Sequence, residues 1–140
     1  MRLSAYFHLD EFQCHDGTDV PDNLLGNVTR LAGTLTLIRL AAGVPLAIIS
    51  GYRTPDYNKR IGGAAQSTHM TCEGADVRPG RGMSPAELHD MILAHYQNKK
   101  LPDLGGLGLY RSWVHVDIKK AADGHLRRWT GKGVGSERSE

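Results

Sequence analysis

The sequence has no hydrophobic run long enough to cross a membrane. A span needs about 18 consecutive apolar residues, and the best stretch, Leu35 to Ile49, is broken by Arg39, Gly43 and Pro45. An apolar leader is missing as well: Met1-Arg2-Leu3-Ser4-Ala5-Tyr6-Phe7-His8 has neither a hydrophobic centre nor a small-residue cleavage site. The expectation is a chain that stays cytoplasmic until it is released or exported by another route. Cysteine is scarce. Two residues, Cys14 and Cys72, cannot build a disulfide framework; reduced thiols are expected, with a single bridge left open. Charge of one sign is also lacking. Lys+Arg 17 against Asp+Glu 15 gives +2, too weak a field for a dedicated nucleic-acid binder but compatible with anionic polymer surroundings. There is no internal repeat and no low-complexity linker.

What is present is a globular balance, 40% hydrophobic and 23% charged over 140 residues, which suits one ordinary domain. Leu24, Val28, Leu31, Leu35 and Ile38 recur at helical spacing after Pro21-Asp22-Asn23, and Gly43 followed by Pro45 closes that helix. Leu46-Ala47-Ile48-Ile49 reads as a buried strand, Pro55 starts a short helix through Lys59, and Ala75-Asp76-Val77 reads as a second strand. Ser84-Pro85-Ala86-Glu87 is a capping box that opens a helix burying Leu88, Met91, Ile92 and Tyr96. Leu107–Tyr110 and Trp113–Ile118 form a hairpin turning at Arg111-Ser112. The class predicted is α+β, a small antiparallel sheet packed against helices. The tail 131–140 carries three glycines and no apolar pattern, and is expected to fray.

Of seven histidines, two have suggestive company. His69 lies in a loop seven residues before Asp76, at a strand, so a return of the chain can bring imidazole and carboxylate together. His115 shares one strand face with Trp113 and Asp117, while Val114, Val116 and Ile118 take the other. Two imidazoles and one carboxylate suit Zn²⁺, and three protein ligands leave the fourth position open, as in catalytic sites. Such an ion lowers the pKa of a bound water from about 15.7 to roughly 7 and polarises a carbonyl. The plainer alternative is a His–Asp pair in a loop and a solvent-facing strand histidine. His89 and His95 are six apart and do not stack on one helix face. Gly105-Gly106-x-Gly108 does not lead from a strand into a helix, which argues against a phosphate loop. Lys119-Lys120 and Arg127-Arg128 form a modest basic patch.

Four segments in order carry a family resemblance. They are Ser50-Gly51-Tyr52-Arg53-Thr54-Pro55-Asp56-Tyr57-Asn58 with Gly62-Gly63-Ala64; Ser67-x-His69 with Asp76; Gly105-Gly106-Leu107-Gly108-Leu109-Tyr110; and Trp113-Val114-His115-Val116-Asp117. From about Tyr6 to Trp129 the chain resembles the zinc D-Ala-D-Ala carboxypeptidases and related murein peptidases, including phage endolysins, and within them the small single-domain members. The resemblance implies a hedgehog/D-Ala-D-Ala peptidase-like fold, one peptidase domain over residues 1–130, and activity on peptidoglycan stem peptides by a monomer. It implies zinc ligation by His69, Asp76 and His115, with Arg53 on the substrate's carboxylate or carbonyl oxygen. Ser67 would bind substrate or orient the site.

Two departures from the family pattern stand out. In His-x-x-Gly-x-Ala-x-Asp, the glycine position is Cys72 and the alanine position is Gly74. Cys72 either fills space or brings a soft thiolate near the metal. Many relatives carry an acidic base three residues before the last zinc histidine, where this chain has Ser112. Asp117 then either takes the proton from the attacking water or supports His115 from behind; Glu73 is a weaker candidate for the base. The missing acid also keeps open a non-catalytic zinc-binding module of the same fold that holds cell wall or a protein.

Overall fold

The computed structural model describes residues 1–131. A 3-10 turn at Asp22–Leu24 leads into α1, Leu25–Ala42. It buries Val28, Leu31, Leu35 and Ile38 of the periodic set read from the sequence, with Ala32 and Thr34 beside them, while Leu24 stands half-buried just before the helix. Full burial of each large aliphatic side chain contributes roughly 1.5–3 kcal/mol. Gly43 ends α1 in the left-handed conformation, φ 71°, and donates its N–H to the Arg39 carbonyl at 3.1 Å.

β1 is Leu46–Ser50, α2 is Pro55–Arg60 and β2 is Gly74–Pro79. α3, Pro85–Gln97, begins with the expected capping box: the Glu87 N–H donates to Ser84 Oγ and the Ser84 N–H donates to Glu87 Oε1. β3 is Gly106–Leu109, β4 is Val114–Asp117 and β5 is Arg127–Thr130.

The five strands form one sheet in the order β1-β2-β4-β3-β5. All neighbouring pairs are antiparallel except β3 with β5, which is parallel. The fold is thus α+β as expected, and the sheet is mostly antiparallel, with one parallel edge strand that the sequence reading did not include. Ala75 and Val77 of β2, Leu107 and Leu109 of β3, and Val114 and Val116 of β4 join α1 and α3 in the core. The alternate residues of the same strands therefore lie on the opposite face.

That opposite face is ordered by register. Ser50, Asp76, His115, Gly108 and Trp129 are successive cross-strand partners from β1 to β5. The next row is Gly74, Asp117, Gly106 and Arg127. Of the predicted tail, residues 132–140 lie outside the described residues. The Gly131 N–H donates to the Leu109 carbonyl at 2.8 Å and extends the β5 pairing. No helix among the described residues is long and apolar enough to cross a membrane.

Candidate metal centre

Asp76 on β2 and His115 on β4 are register partners, and the loop before β2 brings His69 against both. Asp76 Oδ1 lies 3.3 Å from His69 Nε2 and 3.0 Å from His115 Nδ1. All three residues are buried, and one donor atom from each lies within 4.8 Å of the others. Ligand bonds of about 2.0–2.1 Å in a tetrahedron put neighbouring donors about 3.3 Å apart, so the spacing and the donor chemistry fit a zinc-sized cation. Among the described residues this is the one such cluster.

Each ring is oriented from behind. His69 Nδ1 donates to the Gly51 carbonyl at 2.8 Å, which in the neutral ring leaves the Nε2 lone pair facing the cluster. His115 Nε2 meets Asp117 Oδ2 at 2.8 Å, leaving Nδ1 toward Asp76. Asp117 is fully buried; its other oxygen accepts from Lys119 N–H at 3.0 Å and from Arg127 Nη2.

Burial by itself raises the Asp76 pKa, but hydrogen bonds from His115 and His69 outweigh it and hold the carboxyl well below its usual range. Asp117 is lowered in the same way, burial being outweighed by His115 and Arg127. Burial pushes the His115 pKa down, whereas Asp117 and Asp76 together raise it above the ordinary value. In the metal-free chain the carboxylates contribute stability above about pH 4 and lose it as acid protonates them through their lowered pKa values. His115 contributes below about pH 6.5 and loses it as pH rises through its raised value. Thermal unfolding in chelator is therefore expected to peak between these limits and to fall on both sides. A midpoint that climbs on acidification below about pH 4 would contradict the arrangement.

The cluster opens into a cleft of about 420 Å³ whose walls include Arg53, Ser67, Tyr110, Trp113, Arg127 and Trp129. Arg53 is held at the rim, with Nε to Ser50 Oγ at 3.3 Å, Nη1 to Asn58 Oδ1 at 3.2 Å and Nη2 3.6 Å from Asp76 Oδ2. Ser67 Oγ accepts from the His69 N–H at 3.1 Å and so braces the ligand loop. Tyr110 and Trp113 stack at 4.9 Å, and Trp129 Nε1 donates to the Tyr110 hydroxyl at 2.9 Å.

The family model for peptidase M15 matches residues 5–117. The chain belongs to the M15 peptidases, the family of the zinc D-Ala-D-Ala carboxypeptidases. No curated protein matches it. As an M15 peptidase it is a hydrolase of metallopeptidase type, with a His-Asp-His set compatible with a metal.

The structure shows the surroundings of both positions of the first departure, Cys72 and Gly74. Cys72 has φ 59° in the left-handed region, where glycine is the unstrained choice. Its thiol lies in the hydrophobic core, outside the metal cluster, and burial pushes its pKa up to about 12. It is therefore a space-filling group. Cys14 is likewise free and buried. Gly74 is glycine because Thr68 stands there: a Cβ would meet Thr68 Oγ1 at 2.2 Å. Thr68 Oγ1 in turn lies 3.4 Å from His115 Nε2.

Among the described residues, Asp76 and Asp117 are the carboxylates lining the cleft, and both are engaged. Glu73 is not part of its lining and accepts from Thr71 Oγ1 at 2.6 Å. Ser112 is exposed, with its carbonyl accepting from Arg78. Sequence reasoning treated Arg127 only as part of a basic patch and gave Trp129 no role. Nothing in the spacing of Arg127-Arg128-Trp129 signalled that a strand would carry both into the cleft.

Proposed function

We propose that this M15 peptidase is a zinc metallopeptidase that hydrolyses peptide bonds in peptidoglycan stem peptides, as a D-Ala-D-Ala carboxypeptidase or a murein endopeptidase. A role as an endolysin monomer released at lysis is part of the same reading. The observation that carries it is the convergence of His69, Asp76 and His115 at the floor of a cleft with a fixed guanidinium at its rim.

His69, Asp76 and His115 would hold the ion. When bound, zinc supplies a Lewis acid and a water acidified to a pKa of roughly 7. Arg53 is prearranged to receive a carboxylate or the oxygen on which charge develops. Its anchors at Ser50 and Asn58 reduce the reorganisation needed when substrate arrives. Ser67 keeps the His69 loop in place. Asp117 supports His115 and is not the base, because it meets Nε2, the ring nitrogen turned from Asp76.

Two assays test the reading. Purified peptidoglycan and a peptide ending in D-Ala-D-Ala are incubated with the chain, with and without chelator. Release of stem fragments or D-alanine that chelator stops and zinc restores is the expected outcome. In the second, Asp117→Asn is expected to weaken zinc affinity by about 10–100-fold, as loss of an outer hydrogen-bond partner does. Full zinc affinity with no turnover would instead make Asp117 the base.

The absence of an unengaged carboxylate in the described cleft favours one alternative, a zinc-holding module that binds wall without cutting it. Zinc-dependent retention on peptidoglycan without any fragment release would select that alternative.

A further inference from the structure

The matched family region ends at residue 117, yet β5, Arg127–Thr130, lies against the metal cluster's back wall. We propose that β5 is a working part of the site, with Arg127 and Trp129 acting as positioning residues that hold Asp117 and His115 for metal binding. The inference rests on the metal site proposed above.

The register makes the contact possible. Arg127 and Trp129 lie two residues apart on β5, opposite Gly106 and Gly108 of β3. Those glycines are in turn opposite Asp117 and His115 of β4. The two β5 side chains must therefore reach across β3 to touch β4. A side chain at either of these two β3 positions would block them. A Cβ at Gly106 would meet Asp117 Oδ2 at 2.3 Å and Arg127 Nη2 at 2.7 Å; one at Gly108 would meet Trp129 Nε1 at 2.5 Å. The bare face of β3 is thus a bridge over which Arg127 pairs with Asp117, and over which Trp129 tilts against the His115 ring at 5.2 Å.

Charge explains why the bridge is needed. A histidine that ligates a metal does so as neutral imidazole. Asp117, fully buried, then faces an uncharged ring across its 2.8 Å contact with Nε2. Arg127 is the side-chain cation in contact with it. Two bonds from the guanidinium to the Lys119 carbonyl, at 3.0 and 3.3 Å, fix its direction. Removing this cation leaves a buried anion poorly compensated, and Asp117 loses its aim on His115.

The test is a zinc-affinity cycle on the full chain, measured by competition with a chromophoric chelator, with the visible spectrum of the Co²⁺ form reporting ligand geometry. Arg127→Gln is expected to weaken zinc binding by about 10–100-fold and to alter the Co²⁺ spectrum. Arg128→Gln removes the same charge from an exposed neighbour and is expected to change neither. In an Asp117→Asn background, Arg127→Gln is expected to add no further loss, because both act through one link. Unchanged affinity in Arg127→Gln, an equal loss in Arg128→Gln, or additivity in the double variant overturns the role of β5. Should Arg127→Gln fail to fold, Arg127→Lys decides: it keeps the charge but loses the fork, so weaker zinc binding supports the inference and wild-type affinity overturns it. A wild-type chain that binds no zinc sinks the metal-site reading itself, a result distinct from all of these.

Discussion

Replacing His69 by alanine is expected to abolish both zinc retention and hydrolysis. The ring supplies Nε2 to the cluster, 3.3 Å from Asp76 Oδ1, and its loss leaves two protein donors. The loss in affinity should go well beyond the roughly 10–100-fold typical of an outer partner. His69 is the cleaner choice for this test. Asp76 would still have His115 at 3.0 Å and Arg53 at 3.6 Å, so no buried carboxylate is left without a cation. His115→Ala should be equally inactive but also less stable. It deprives both Asp76 and Asp117 of their shared imidazole, and breaking a buried pair costs about 3–5 kcal/mol. Metal content after dialysis, by elemental analysis, together with peptidoglycan release checks both variants. A His69→Ala protein that kept stoichiometric zinc would contradict the ligand set.

The second large effect is expected from Arg53→Ala. Removing one preorganised donor to a developing oxyanion costs about 10²–10³ in kcat, and the same order is expected here with zinc retained. Arg53→Lys should recover little, because an ammonium cannot reproduce the planar fork that now spans Ser50 and Asn58. The readout is kcat/KM on a D-Ala-D-Ala peptide beside the zinc content of the same preparation. If zinc were lost with activity, Arg53 would serve Asp76 through their 3.6 Å contact and not the substrate.

Much of this molecule was legible from residue pattern. The stripe on α1, the Gly43 stop and the Ser84–Glu87 box are local signals. Each acts within one or two turns, so the structure reproduces them closely. The alternation of β4 separated the valines from His115 and Asp117 for the same reason. The missed features are non-local. β5 has a half-exposed alternating pattern with Trp129 its one large apolar residue, and a parallel edge pairing leaves no hairpin signature. Spacing put His115 and Asp117 on one face, but which imidazole nitrogen the carboxylate meets depends on a ring rotation that sequence does not encode. The left-handed backbone at Cys72 was hinted at only by the glycine that the family pattern places there, since the cysteine side chain itself gives no sign of it.

The pairing of Asp76 with His115 across β2 and β4 has a consequence for how the chain matures. Sliding one strand past the other by a single position would swing one of these two side chains to the helix-packed side. A misaligned sheet could not assemble the donor set at all. Ion binding would thereby report strand alignment, and on the proposed function a copy with a slipped register would lack the means to cut wall.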